Sequence, residues 1–313
     1  MTTRIALLYP GQGSQKPGMG LPWRHTDSWR IVDMASNASN IDVHWLLCNA
    51  NEDQLKDTQN SQLAILTVSL MALDQADRTG LFNNREIIGH AGHSLGEYSA
   101  LAAAGALSWT EVIQLVAARG AAMRIAGTIE AGSMVAVGGI DEKSVESILS
   151  RVESCWMAND NGAGQFVISG RPESTDKFAA IAREAGATLV TVLPVGGAFH
   201  SPLMYPAAEP LAQALANVRF EPARAPVYSN VDARPHIEPD GFAQLLLRQL
   251  TAPVRWRHIY ASLASNSDVA IELGPGRVLT RLGRRDHPDL SRLTISRPGD
   301  VTKALAAVEA VRS

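Results

Sequence analysis

Gly92-His93-Ser94-Leu95-Gly96 constrains the fold more than any other segment of the chain. It follows an apolar pair, Ile87-Ile88, that opens a predicted strand, and it leads into an Ala-rich run over 95–106 that suits a closely packed helix. Gly-x-Ser-x-Gly in that setting reads as a nucleophile elbow. The turn from strand to helix is so sharp that a Cβ at either flanking glycine would collide. The serine between them is strained, and its hydroxyl projects into a cleft. The helix behind it offers free N–H groups and positive potential to an oxyanion.

The rest of the chain repeats the strand-then-helix rhythm. Ile5-Ala6-Leu7-Leu8-Tyr9 is an apolar run stopped by Pro10-Gly11, a buried strand entering a tight loop. Residues 61–76 carry Leu63, Ile65, Leu66, Leu70 and Leu73 at helical spacing. Further strands are predicted at 227–229, 270–273 and 293–295. This alternation points to an α/β protein with a parallel sheet covered on both faces. The middle differs: strand 134–137, helix 141–152, strands 155–158 and 165–169, helix 173–186, strand 188–193. That βαββαβ order is the signature of a ferredoxin-like module. Motif-bearing segments flank it, so the reading is an inserted small domain over 129–197 within a large domain of 1–128 and 198–313.

Composition narrows the function classes. The 313 residues carry 28 Lys plus Arg and 31 Asp plus Glu, a formal net charge of −3, without the electrostatic footprint of a general nucleic-acid binder. A hydrophobic share of 46% excludes bulk disorder. Two cysteines, Cys48 and Cys155, exclude a disulfide scaffold and a multi-Cys zinc site, and no metal site is expected. Residues 1–9 lack the long apolar core and cleavage site of a secretory signal. The richest apolar stretch, 98–109, is broken by Ser99, Gly105 and Ser108, short of the roughly 18–20 residues that span a bilayer. The expectation is a soluble cytoplasmic protein with reduced cysteines.

A serine hydroxyl needs a base. Of eight histidines, His25, His44, His236, His258 and His287 lie in polar or mixed surroundings. His93 adjoins Ser94 and is expected to point away, and His90 ends a strand near the elbow. His200 lies in the Gly/Pro-bounded loop Gly196-Gly197-Ala198-Phe199-His200-Ser201-Pro202, where catalytic groups commonly sit, although a packed loop histidine reads the same way. Pro10-Gly11-Gln12-Gly13-Ser14-Gln15 leaves backbone N–H groups free to face an anion. Arg119 falls on the apolar face set by Val112, Leu115, Val116 and Met123. An Arg there either forms an internal salt bridge or waits for an anionic substrate group.

Taken together, these motifs resemble the malonyl-CoA:acyl carrier protein transacylases and the related acyltransferase domains of polyketide synthases. The resemblance continues through Glu97-Tyr98, Arg119-Gly120, Asn159-Asp160-Asn161-Gly162-Ala163-Gly164-Gln165, Gly197-Ala198-Phe199-His200-Ser201, Gln249-Leu250, Pro253-Val254-Arg255-Trp256 and Glu272-Leu273-Gly274-Pro275-Gly276. It implies an α/β-hydrolase-like core with a parallel sheet and the inserted ferredoxin-like domain. It also implies a ping-pong transfer from malonyl-CoA, through an acyl-Ser94 intermediate, to the phosphopantetheine thiol of an acyl carrier protein. No bound cofactor, nucleic acid or membrane is implied. By the same resemblance His200 is the base, held by the main chain or side chain around Gln249 in place of a catalytic Asp. The N–H groups of Gln12 and Leu95 form the oxyanion hole, and Arg119 pairs with the malonyl carboxylate. Asn159 and Asn161 line the carrier side of the cleft, and Phe199 fills the space that a C2-methyl would need. The pair Gly196-Gly197 departs from fatty-acid members and predicts a more mobile loop. Competing readings are a serine thioesterase or esterase, a stand-alone polyketide acyltransferase for another acyl-CoA, malonate decarboxylation, and a non-catalytic scaffold.

Overall fold

The computed structural model describes residues 2–311. Its strands are β1 (Arg4–Tyr9), β2 (Glu86–Gly92), β3 (Ser133–Gly138), β4 (Cys155–Asp160), β5 (Gln165–Gly170), β6 (Leu189–Val192), β7 (Val227–Tyr228), β8 (Pro235–His236), β9 (Val269–Leu273) and β10 (Ser291–Ile295). They form a six-stranded sheet, β10-β9-β1-β2-β7-β8, and a four-stranded sheet, β4-β5-β3-β6. In the larger sheet every pair is parallel except the short β7–β8 edge.

β1 shows why its sequence is an unbroken apolar run. Side chains alternate across a strand. Ile5, Leu7 and Tyr9 therefore enter one hydrophobic cluster, while Ala6 and Leu8 enter another on the opposite face. β9 divides the same way, with Val269, Ile271 and Leu273 on one side and Ala270 on the other. Two 21-residue helices, Thr58–Arg78 and Trp109–Ile129, fill much of the first cluster. The Asp57 carboxylate caps the first by accepting from the Gln59 and Asn60 amides, and Ser108 with Glu111 forms a capping box on the second. Helix Trp109–Ile129 is the one helix among the described residues long and apolar enough to cross a bilayer, but here its apolar face is core.

The smaller sheet is wholly antiparallel, and its chain order is β3, helix Glu142–Leu149, β4, β5, helix Pro172–Glu184, β6. Alternation along β3 decides its role. Val135 and Val137 pack with Val145, Ile148 and Phe178 of its own helices. Met134 and Ala136 point the other way, into the large core and toward the cleft. The sheet is stitched to the C-terminal part by main chain: the Val254 amide donates to the Ala158 carbonyl (2.8 Å) and the Asp160 amide to the Val254 carbonyl (3.0 Å). Arg257 reinforces the seam, donating to Asp160 (2.7 Å) and Glu142 (2.6 Å). The predicted elements are present with shifts of a few residues at their ends; β8 has no counterpart in the sequence reading. Cys48 and Cys155 are both free.

Candidate active site

The elbow is built by close backbone contact. β2 ends at Gly92 and the next helix, Gly96–Ala103, begins four residues later. A Cβ on Gly92 would lie 1.8 Å from the carbonyl carbon of Gly96, and one on Gly96 would lie 2.0 Å from the Tyr9 oxygen. Ser94 sits between them at φ +50°, in the left-handed region that L residues avoid. Buried Asn230 holds it there. The Asn230 Oδ1 accepts from the Ser94 amide (2.7 Å) and its Nδ2 donates to the Gly92 carbonyl (2.7 Å). Sequence reading missed Asn230. The available signal was positional: it follows β7, the strand that pairs with β2, so it emerges beside the elbow.

His200, also at a positive φ (+60°), closes on the serine. The Ser94 hydroxyl and His200 Nε2 are 2.8 Å apart, and His200 Nδ1 lies 2.9 Å from the main-chain oxygen of Gln249. A carbonyl can only accept, so Nδ1 carries the hydrogen. Nε2 is left with a lone pair facing the hydroxyl. Burial, and then the nearby Arg119 charge, lower the His200 pKa to about 3, so the resting imidazole is neutral. His90 is elsewhere: buried, its Nδ1 3.1 Å from the Tyr9 hydroxyl, and outside the cleft. The loop bearing His200 leaves the exposed Gly196 and is buried from Gly197 to Ser201. The helix side supplies glycine at the contact, and a Cβ on Gly127 would fall 2.1 Å from the Gly196 oxygen.

Arg119 is completely buried, and no carboxylate among the described residues reaches it to form an ion pair. Its Nη1 donates to Gln62 Oε1 (2.6 Å); its Nη2 donates to Gln249 Oε1 (2.8 Å) and to the Ser94 hydroxyl oxygen (3.1 Å). The guanidinium carbon lies 5.1 Å from the centre of the Tyr98 ring. The internal salt bridge is thus not what holds this cation. Amide oxygens and an aromatic face hold it instead, and its Nε has no hydrogen-bond partner. Gln62, fifty-seven positions away in sequence, was not singled out by any motif.

The cleft in front of Ser94 has a volume of about 480 Å³, and its lining includes Gln12, Asn159, Phe199 and His200. The loop after β1 touches the elbow directly, since a Cβ on Gly11 would meet the His93 oxygen at 2.3 Å. The Gln12 side chain is tied back to Ser61 (3.0 Å), while the amides of Gln12 and Leu95 meet no acceptor among the described residues. Phe199 is buried beside the base, and its carbonyl accepts from Ser169 (2.5 Å). Two expectations need correction. Asn161 does not line the cleft with Asn159; its side-chain oxygen is engaged by His93 Nε2 at 2.9 Å. For the same reason His93 does not point away but stands in the cleft wall, between Asn161 and the Trp256 ring.

The family model for the acyl transferase domain matches residues 6–295. This chain belongs to the acyl transferase family. The resemblance read from the motifs is therefore borne out, and this acyl transferase has relatives over nearly its full length. The malonyl CoA-acyl carrier protein transacylase of Bacillus subtilis (strain 168) is 35% identical over 314 residues, covering 98% of each chain. The solved acyl-carrier-protein S-malonyltransferase from Bartonella henselae superposes with a TM-score of 0.93 at 36% identity, covering 99% of this chain and 100% of the other. A malonyl-transacylase solved in complex with a type II PKS acyl-carrier protein has a TM-score of 0.92 at 31% identity, covering 97% of this chain and all of that one. The acyl transferase shares with them a mixed α/β architecture rich in parallel strands.

Proposed function

We propose that the protein transfers a malonyl group from malonyl-CoA to the phosphopantetheine thiol of an acyl carrier protein through a malonyl ester on Ser94. The observation that carries this reading is Arg119: a fully buried cation, held by neutral partners, that touches the serine hydroxyl. Glu97 acts on this cation only through space and by way of Gln249; an acyl group that ends in a carboxylate supplies a direct anionic partner beside the carbon under attack. A hydrolase using the same Ser and His has no need of such a cation.

The chemistry follows from the hydrogen bonds. Ser94 gives its proton to His200 Nε2 as its oxygen attacks the thioester carbonyl. Gln249 steadies the imidazolium through Nδ1. The oxyanion is received by the Gln12 and Leu95 amides. The tetrahedral centre collapses, the C–S bond breaks, and His200 returns the proton to the CoA sulfur. In the second half, the pantetheine thiol gives its proton to His200, its sulfur attacks the ester, and Ser94 leaves with that proton. Arg119 couples recognition to reactivity. Its charge depresses the basicity of His200, and a malonyl carboxylate neutralises that charge, so the imidazolium forms more easily when the right acyl group is bound. Phe199 limits room at the malonyl C2, and Asn159 faces the arriving pantetheine. These steps call on side chains and amides alone.

Residues 129–197 are read as a ferredoxin-like unit inserted in an α/β-hydrolase-like core of 1–128 and 198–313, of which residues 1, 312 and 313 lie outside the described residues. The sheet order β4-β5-β3-β6 supports that reading. The unpaired Cys48 and Cys155 support a cytoplasmic location.

The test is transfer itself. With malonyl-CoA and a carrier bearing its pantetheine, the label should move to the carrier thiol much faster than malonate is released. Release to water as the main outcome would favour the hydrolase. A second expectation concerns pH. Because the folded His200 takes up its proton near pH 3, kcat/KM for malonyl-CoA should show no acid break near 6.5, the ordinary histidine value. A break there that persists in Glu97→Gln, which removes the carboxyl that burial raises to about 7, would mean that the base is an ordinary, solvated histidine.

A further inference from the structure

The side chain of Gln249 is the junction of the site. Its Oε1 accepts from Arg119 Nη2 (2.8 Å), while its Nε2 donates to Glu97 Oε2 (2.6 Å) and to the Ser94 carbonyl (3.1 Å). Its own carbonyl holds His200. The two ends of an amide are nearly identical in shape, so only its partners decide which way it faces. Arg119 is a pure donor and demands the oxygen end. Turned over, Gln249 would set an NH2 group against a guanidinium N–H, and Arg119 would have to leave the serine.

We infer that Glu97 is a positioning residue for acyl selection: its Oε2 pins the Gln249 amide so that the oxygen end faces Arg119 and holds that cation beside Ser94. This inference rests on the malonyl-transfer reading above. Glu97 is buried, on the first turn of the elbow helix, and the same Oε2 accepts from the Asn230 amide (3.1 Å). One oxygen therefore braces both the amide that orients Arg119 and the residue that holds the elbow. Of the two bonds fixing the Nε2 end of Gln249, that to Glu97 is the shorter, and without it a fully buried N–H is left unpaired. Reach matters here more than charge. Burial raises the Glu97 carboxyl to about 7, against the hydrogen bonds from Gln249 and Asn230, and Oε2 can accept from both whether or not the other oxygen holds a proton.

Two variants separate reach from charge. Glu97→Gln keeps the reach and a carbonyl oxygen but removes the charge; Glu97→Asp keeps the charge and withdraws the oxygen by one methylene. The readout is the ratio of acylation rates with malonyl-CoA and acetyl-CoA, with folding followed by circular dichroism and Tm. Glu97→Asp should lower the malonyl preference about tenfold, the scale of one buried hydrogen bond. Glu97→Gln should hold that preference within about twofold of the wild type, whatever its absolute rates. The opposite order would make Glu97 a counterion to Arg119 and overturn the inference, and equal losses on both acyl-CoAs would reduce it to packing. If Glu97→Asp does not fold, loss of the preference in Glu97→Gln alone overturns it. A wild type with no preference for malonyl-CoA would instead sink the underlying malonyl-transfer reading.

Discussion

Ser94→Ala should lower malonyl transfer by at least about 10⁴-fold, the scale seen when the nucleophile of an acyl-transfer enzyme is removed. The chemistry has no substitute: neither cysteine lines the cleft. The variant should nonetheless fold. The bonds that pin position 94 to Asn230 and Gln249 are main-chain bonds, and the alanine meets the same left-handed backbone as the serine. Its Tm should therefore stay within a few degrees of the wild type while activity vanishes. A variant that retains a tenth of its rate would show that Ser94 is not the acylated group.

Arg119→Ala should cost about 100-fold or more in kcat/KM for malonyl-CoA, since a charge-assisted bidentate contact to a carboxylate is worth a few kcal/mol. Acetyl-CoA offers no carboxylate, so its kcat/KM should hold or rise. Two effects push it up. The buried charge that repels an apolar acyl tail is gone, and His200 recovers basicity once its cationic neighbour is removed. Some stability should be lost, because Gln62 and Gln249 each keep a buried oxygen without its donor. Activity must therefore be compared at a temperature where the variant is folded. Equal losses on both substrates would make Arg119 a structural residue only.

The parts of this site that were legible in the sequence are those written in a local pattern. Gly92 and Gly96 are glycines because backbone passes within 2.0 Å of where their Cβ atoms would be, and that need leaves a five-residue signature. The run over 5–9 was legible because β1 is buried on both faces, which keeps its residues apolar. Arg119 stood out as a cation on an apolar face. What was hidden is what the fold assembles from afar. Asn230, Gln62 and the Glu97–Gln249 contact join positions 57 to 152 residues apart, and no neighbouring residue announces them. Asn161 and His93 were misplaced for a related reason. His93 was assigned a direction from its place beside Ser94 and Asn161 a place in the cleft from the resemblance, whereas a mutual hydrogen bond across 68 positions joins the two. The approach of Gly127 to the Gly196 oxygen, across 69 positions, was equally hidden.

The central claim is a covalent one, and mass spectrometry addresses it directly. Purified protein is mixed with malonyl-CoA, quenched in acid, weighed intact and then digested. The account expects one malonyl mass on the wild type, mapped to the peptide containing Ser94, removed when a pantetheine-bearing carrier is added before the quench, and absent from Ser94→Ala. A malonyl adduct that maps to Cys48, Cys155 or another serine, or that persists in Ser94→Ala, would contradict it.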